Sequence, residues 1–533
     1  MADEWNAPVE LSPSETRVLA LTKKQKLWSF LRHYRHRLLD EDIRVELAAM
    51  YAESGRGAPV CPERLALAML LQVAFHVPDH EVPTLTAVDR RWQVVLDIAP
   101  STEEQPAFSQ GTVFHFRERV RKHGLMTKLL EKTVALARET KGFSDKRLRA
   151  MLDSSPLWGA GRVEDTFNLI GRALRRVVED AASLSGKSTR VVADELCLTV
   201  VSASSVKAAL DVDWRLKNAR KQALDALLAQ VELLRCWLDE QFDSVQLGAP
   251  PIATSIGMLN ALIEQDTEPD PDRPEPIDGR EARRIRTGGS DRQISISDPD
   301  MRHGRKSKTK LFTGYKRHVS TDADVPGLIV SVCLLPGNQR EYDGTEPLLT
   351  SAEAAGYTIV ELHHDRGYLA AEGLHERRRH GLKLVSKPPT PARTKGRFGK
   401  ADFEIDVLEG RVECPSGQEA QISSGKKPAA YFRRSICRSC SLKERCLPKS
   451  GQKVVQIHPH EQLFQEMAAE LATPEGRQRR RERIAVEHVL ARVGAIQGRR
   501  ARFLGLTKND FDLQRTAVVA NLFVLNGLWA EAA

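Results

Sequence analysis

Asp365 follows a largely apolar run, Tyr357-Thr-Ile-Val-Glu-Leu-His-His, and opens the hydrophilic turn Asp365-Arg-Gly-Tyr368. A carboxylate at the mouth of a buried strand, followed by a glycine turn, is a place where an α/β enzyme holds a divalent ion. Asp153 stands in the same relation to the strand-like run Leu148-Arg-Ala-Met-Leu152, with Pro156 expected to stop the sheet just beyond it. Glu487 belongs to Arg480-x-x-Arg483-x-x-x-Glu487, whose offsets of three, four and seven share one helical face. Together these residues suggest a metal-dependent enzyme acting on nucleic-acid phosphates, with Arg366, Arg480 and Arg483 as phosphate contacts. Each motif also has a plainer reading: an Asp-initiated turn at 153 and at 365, and an intrahelical Arg–Glu pair at 487.

A second constellation is Cys414-Pro-Ser-Gly417 followed by Cys437-x-x-Cys440-x5-Cys446. Four thiolates, two of them in a Cys-x-x-Cys knuckle, suit a tetrahedral structural zinc ion. Four reduced cysteines packed without metal, or an iron–sulfur cluster, are the alternatives. Lys426, Lys427, Arg433, Arg434, Arg438, Lys443 and Arg445 make this region basic and compatible with DNA. The other four cysteines lie in apolar settings and read as core.

The chain has 533 residues, enough for two to four domains, and 41% hydrophobic content, so most of it should fold. Its net charge of +9 favours a polyanionic partner, and the distribution says more than the sum. Nine arginines fall between Arg477 and Arg502, including Arg499 and Arg500, and a second cluster runs Arg302-His-Gly-Arg305-Lys306-Ser-Lys308 ahead of a strand. Charges packed this closely repel unless a polyanion screens them. The second cluster reads as a phosphate-binding loop that positions DNA without reading its sequence; a solvated basic loop is its rival. No apolar stretch approaches the roughly 20 residues of a membrane span. The N-terminus shows no signal peptide, so the expected location is cytoplasmic and nucleoid-associated.

The elements that must position these groups follow from periodicity. Residues 1–140 read as a helical N-terminal domain for binding DNA ends, with helices at Leu38–Tyr51, Pro62–Phe75 and Thr112–Lys122, the last capped by Ser109. That helix presents Arg117, Arg119, Arg121 and Lys122, either to a DNA groove or merely as a charged outer face. Residues 145–390 read as an α/β catalytic core of mixed-sheet type. A helical insert and linker interrupt it at about 163–300, the linker lying between Glu264 and Arg292. Strands are expected at Leu148–Leu152, Leu311–Thr321, Gly327–Leu335, Thr358–His364 and Lys383–Lys387, with sites at the strand ends. Residues 395–470 form the Cys-rich insertion. Residues 474–533 return to the core as helices, one of them spanning Gly476–Val493 and carrying the third acid.

The pieces MLDSSPLWGAG, DPDMRHGRKSKTKLFTGYKRHV, HHDRGY and RIAVEH…GRRARFLGL, in this order, resemble transposases of the IS1182 group, within the wider IS4-like DDE transposases. The resemblance spans nearly the whole chain, including RLLDEDIRVELAAMYAESGRGAPVCPERLALAMLLQ near the N-terminus. It implies a ribonuclease-H-like catalytic domain, with Asp153, Asp365 and Glu487 as the catalytic triad binding Mg²⁺ or Mn²⁺. It also implies DNA partners (terminal inverted repeats and target DNA) and a homodimer on the DNA ends. In the family's tyrosine-arginine-glutamate-lysine signature, Arg483 and Glu487 match in spacing, but Arg480 holds the tyrosine position and Gly494 the lysine position. Arg492 or Arg499 are candidates for the missing cation, and Glu482 is the rival third acid. Arg302, Arg305, Lys306, Lys308, Arg366, Arg480, Arg483, Arg499, Arg500 and Arg502 are the expected DNA contacts. The expected activity is cleavage at the element ends and transfer of the 3′-hydroxyls to target DNA. A transposase-derived DNA-binding protein without turnover and a metal-dependent nuclease without strand transfer are the alternatives.

Overall fold

In this computed structural model, which describes residues 5–52, 60–99, 105–277, 279–286, 288–307, 309–389, 396–425, 427–447 and 451–532, the chain begins as a run of helices. They are α1 (Pro13–Leu21), α2 (Leu27–Leu38), α3 (Glu41–Ala52), α4 (Pro62–Ala74), α5 (Glu81–Val88), α6 (Arg90–Leu96), α7 (Gln110–Lys122) and α8 (Leu125–Thr140). Ser109 caps α7 as expected: its hydroxyl accepts the Thr112 N–H at 3.2 Å, a contact worth about 1 kcal/mol. The cations of α7 are largely engaged within the protein. Arg117 is buried against Asp79 at 2.6 Å, Arg121 pairs with Glu118 at 2.8 Å, and the Arg119 guanidinium lies 4.8 Å from the Tyr51 ring.

The central sheet is built from β1 (Arg147–Trp158), β2 (Arg302–Arg305), β3 (Leu311–Asp322), β4 (Ile329–Pro336), β5 (Thr358–His363) and β6 (Lys383–Val385). Along its main path the order is β2-β3-β1-β5-β6, and β4 continues the edge of β3 beyond β2. β3 is antiparallel to β1, β2 and β4, while β5 and β6 are parallel to β1 and to each other. Leu148, Ala150, Met151 and Leu152 are all buried, because helices cover both faces of the central strand.

Two sequence expectations about β1 fail. Pro156 does not stop the strand; it pairs opposite Lys316, and β1 runs on to Trp158. The partnership with β5 ends at Met151, so beyond that point one edge of β1 has no ladder to complete and tolerates a residue without an N–H. Asp153 therefore lies within β1, at the level where its parallel neighbour gives out. Likewise the basic run Arg302–Arg305 is not a loop but edge strand β2, held to β3 by pairs such as Gly304 with Phe312. Lys306 continues from it; Lys308 lies outside the described residues.

Between β1 and β2 the chain forms the expected helical insert, α9 (Thr166–Ser185), α10 (Lys217–Gln241) and α11 (Ile252–Asp266), around a core of its own. Leu224, Leu227, Val231, Leu234 and Leu238 of α10 are buried along one face. The polar stretch expected to be a linker is ordered. Residues Thr267–Pro269 and Arg283–Ile285 pair as a hairpin, and ion pairs replace the missing apolar core: Arg292 with Asp266, Arg273 with Asp225 and Lys221 with Asp270.

After β4 come α12 (Thr345–Ala354) and, after β5, α13 (Glu372–Arg379). Beyond β6 the Cys-rich segment folds as a three-stranded antiparallel meander, Glu404–Asp406, Arg411–Glu413 and Glu419–Gln421, and a hairpin of Ala429–Tyr431 with Val454–Gln456. Val412, Ala430, Phe432 and Val455 form its small core. Four helices close the chain: α14 (Glu461–Ala472), α15 (Pro474–Glu482), α16 (Ile484–Gln497) and α17 (Leu506–Ala532). The single helix expected over Gly476–Val493 is thus two, α15 and α16, meeting at Arg483.

The N-terminal helices and the sheet share one continuous core. α17 joins them: on this helix Asn521 is fully buried, donating to Thr133 Oγ1 on α8 at 2.9 Å and exchanging hydrogen bonds of 2.8 Å with the backbone of Ile329 on β4. Arg138 of α8 pairs with Asp322, both buried, at the end of β3. Among the described residues no helix is long and apolar enough to cross a membrane.

Candidate active site

The register of the sheet brings the two aspartates together. β1 and β5 run parallel with Met151 beside His363, so a step of two residues along each chain sets Asp153 and Asp365 at the same end of neighbouring strands. That is the carboxyl end of both, where α/β sheets present their sites. Asp365 begins a short helical turn, Arg366–Ala370, anchored from below by Tyr368. Tyr368 is fully buried, with its hydroxyl 3.2 Å from His318 Nδ1 on β3.

Glu487, the expected third acid, lies on α16. Val486 and Leu490 pack against Met151 and Val319, and this seats the helix on β1. Glu487, between them in sequence, opens onto the cleft that Asp153 and Asp365 also line. Arg483 stands among the three: its Nη1 lies 3.6 Å from Asp153 Oδ2, and its Nη2 lies 3.2 Å from Asp365 Oδ1 and 3.7 Å from Glu487 Oε1. Asp153 is the most enclosed, its side chain 17% exposed against 56% for Asp365 and 61% for Glu487. Burial pushes the Asp153 carboxyl up to about 6; the Ser154 N–H and Arg483 oppose this, while the charges of Asp365 and Glu341 add to it. Ser154 N–H donates to Asp153 Oδ1 at 2.8 Å.

Glu482, the rival third acid, is committed elsewhere. Arg149 of β1 donates to Glu482 at 2.7 Å, to Glu361 at 2.9 Å and to Asp324 at 2.8 Å. Glu361, His363 and Glu482 form the one group of metal-capable side chains among the described residues whose ligand atoms lie within 4.8 Å of one another. The Arg149 guanidinium already supplies the positive charge there. Neither Asp153, Asp365 and Glu487 nor the four cysteines are drawn that close together.

The expected DNA contacts divide. Arg305 and Lys306 line the cleft with the acids. Arg302 turns away, its Nε 2.9 Å from Asp291. Arg480 and Arg502 are exposed, and Arg366 also lies at the surface. Arg500 is spent on the backbone carbonyls of Gly159 and Ala160, both at 3.2 Å. The Arg499 guanidinium lies 5.5 Å from the Trp158 ring, and its carbonyl accepts the Trp158 N–H.

Sequence reasoning missed three residues of this cleft: Lys316, Arg317 and Glu341. Lys316 and Arg317 are adjacent on β3 and read only as strand; Glu341 follows β4 in Arg340-Glu-Tyr-Asp and has no motif around it. Arg317 is 5% exposed. It donates to Ser155 Oγ at 3.2 Å, Pro156 O at 2.8 Å, Gln497 Oε1 at 3.4 Å and Gly498 O at 3.1 Å. The space beside Gly494, the position lacking a lysine, borders this guanidinium: a Cβ on Gly494 would lie 3.8 Å from Arg317 Nη2.

The four cysteines line a single pocket of the Cys-rich segment. Two sulfurs accept backbone N–H groups, Cys414 from Gln418 and Cys440 from Leu442, each at 3.4 Å.

Residues 413–526 match the family model of the transposase DDE domain. The matched segment holds the four cysteines, Arg483 and Glu487; Asp153 and Asp365 precede it. No curated protein and no solved structure gives a significant match.

Proposed function

We propose that the chain is a DNA transposase of the IS1182 group with a ribonuclease-H-like core, in which Asp153, Asp365 and Glu487 hold divalent ions for phosphoryl transfer. One observation carries the reading: three acids from distant motifs meet around one arginine in a cleft rimmed by Arg305, Lys306, Lys316 and Arg317. The strand order, with one antiparallel and one parallel neighbour flanking β1, supports the core assignment.

The donors at the acids are all oxygens, which suits Mg²⁺ or Mn²⁺. In phosphoryl transfer such ions activate the attacking oxygen and neutralise charge on the leaving one. The protein's own groups do the positioning. Arg483 exchanges its carboxylates for a phosphate oxygen of the bound DNA, and Arg305, Lys306 and Lys316 hold the flanking backbone. Water is the first nucleophile and the freed 3′-hydroxyl the second. The terminal inverted repeats and target DNA are the substrates, and two chains pair to bring two ends together.

Cys414, Cys437, Cys440 and Cys446 form a structural zinc site. The thiol donor set fits zinc, and N–H groups directed at Cys414 and Cys440 stabilise thiolate charge. Metal analysis of the purified chain is expected to give one zinc that Cys437→Ser removes; a zinc-free chain with an unchanged melt would refute the site.

Joining of an end-bearing oligonucleotide to plasmid, dependent on Mg²⁺ or Mn²⁺, tests the main reading. Joining that survives Asp153→Ala or Asp365→Ala overturns the catalytic assignment. Cleavage without joining points to a nuclease, and binding without cleavage to a DNA-binding protein.

A further inference from the structure

Glu341 belongs to none of the motifs that single out the other acids. It opens the helical turn Glu341–Gly344 that follows β4 and lines the same cleft as Asp153, Asp365 and Glu487. Both aspartate motifs are shaped around it. Ser154, directly after Asp153, donates its hydroxyl to Glu341 Oε1 at 3.4 Å. Gly367, two residues after Asp365, does not adopt a positive φ that would require glycine. Its lack of a side chain has another use: a Cβ there would lie 2.1 Å from Glu341 Oε2 and 3.2 Å from its carboxyl carbon.

We propose that Glu341 is a fourth carboxylate ligand of the divalent-ion centre formed with Asp153, Asp365 and Glu487. The proposal rests on the metal-dependent reading given above and adds a residue to it. Asp153 is the hinge of the arrangement. Its Oδ2 faces Arg483, which in turn reaches Asp365 and Glu487. Its Oδ1 takes the Ser154 N–H, and the hydroxyl of the same serine holds Glu341. Divalent ions at this site would draw their ligands from carboxylate oxygens and would supply charge neutralisation at the reacting phosphate. Asp153 is linked to Asp365 and Glu487 through Arg483, and to Glu341 through Ser154. Among the described residues Glu341 makes no ion pair: the Lys316 ammonium is near enough to feel its charge but donates to Gln339 O, so no protein cation is seated on the carboxylate.

Mn²⁺ binding to the full chain, followed by electron paramagnetic resonance and by the rise in melting temperature, reads the site without DNA or turnover. Glu341→Gln is expected to raise the Mn²⁺ concentration at half-saturation about tenfold or more, and to raise by a similar factor the Mn²⁺ needed for joining. A Glu341→Gln chain that binds Mn²⁺ with the wild-type midpoint and stoichiometry overturns the proposal while leaving the three-acid reading intact. A wild-type chain that binds no Mn²⁺ overturns both. Should Glu341→Gln fail to fold, Gly367→Ala displaces the carboxylate by its Cβ alone and must shift the midpoint in the same direction; an unshifted midpoint there is equally decisive against it.

Discussion

Arg483 Nη2 lies 3.2 Å from Asp365 Oδ1, and the same guanidinium reaches Asp153 and Glu487. The site thus carries its own counter-charge, delivered from the junction between α15 and α16. A guanidinium among three carboxylates competes with any metal cation for the same oxygens. Removing it has opposite effects on two measurements. Arg483→Ala is expected to bind Mn²⁺ at least as tightly as the wild type, because the competitor has gone. Its rate of DNA joining should fall by on the order of 10²–10³, the usual cost of losing a charged group that stabilises a transition state. A variant that loses Mn²⁺ binding as well would show that Arg483 organises the acids rather than competing for them.

Glu482 and Glu487 face different cations, Arg149 and Arg483. The Arg149–Glu482 contact at 2.7 Å joins two side chains that are each about a third exposed (30% and 32%), so it contributes about 1 kcal/mol or less. Glu482→Gln is accordingly expected to lower the melting temperature by a few degrees at most and to keep joining near the wild-type rate. Glu487→Gln should do the reverse, abolishing joining with little change in the melt. Equal losses of joining in the two variants would return Glu482 to the list of catalytic candidates.

The aspartate ends were legible because the signal is local: a short apolar run with an acid just beyond it reads the same in sequence and in space. The register that makes neighbours of Asp153 and Asp365 is set by β1–β5 pairing across some two hundred residues of chain, and no local pattern encodes it. Pro156 misled because a proline reads as a strand terminator, whereas here the strand had already lost one neighbour at Met151. The hairpin at Thr267–Pro269 was hidden because its stabilisation comes from ion pairs such as Arg292–Asp266, which hydrophobic patterning does not register. Glu341 escaped for a related reason. Its partners are a serine and the space over a glycine, and both had been read as parts of turns.

Asp79 offers a pH test far from the cleft. Hydrogen bonds from Arg117 at 2.8 and 2.6 Å hold its carboxyl down to about 2, against the opposing effect of burial. In the unfolded chain an aspartate titrates near pH 4. A depressed folded value means that the pair's contribution to stability is full above about pH 4 and is lost as pH falls from there toward about 2. Asp79→Asn should therefore destabilise the protein to urea at pH 7, with the difference from wild type shrinking below pH 4. A difference that stays constant from pH 7 to pH 2.5 would mean that the contact acts by packing rather than by charge. Arg117→Gln should leave the salt dependence of DNA binding unchanged, since this cation is already paired inside the fold.

Arg317 makes the contrasting case. It is at least as buried as Arg117, but among the described residues its partners are neutral: two backbone carbonyls, a serine hydroxyl and a glutamine amide. Burial without a counter-charge pulls it down to about 10, so it is still cationic at neutral pH. A guanidinium has five N–H donors, and these contacts engage four, which leaves one on Nη2, the nitrogen that borders the gap beside Gly494. Arg492 and Arg499 are worse placed to replace the absent lysine: Arg492 lies against the turn at Gly327 and Arg499 against Trp158. Under the proposed function, Arg317 is the cation expected to meet a DNA phosphate beside the acids. Arg317→Gln is expected to reduce the slope of log affinity against log salt for an end-bearing oligonucleotide by about one, and Arg317→Lys to restore most of it. A purely structural role, clamping the tail of β1 to the end of α16, would lower the melting temperature in both variants and leave the salt slope at its wild-type value.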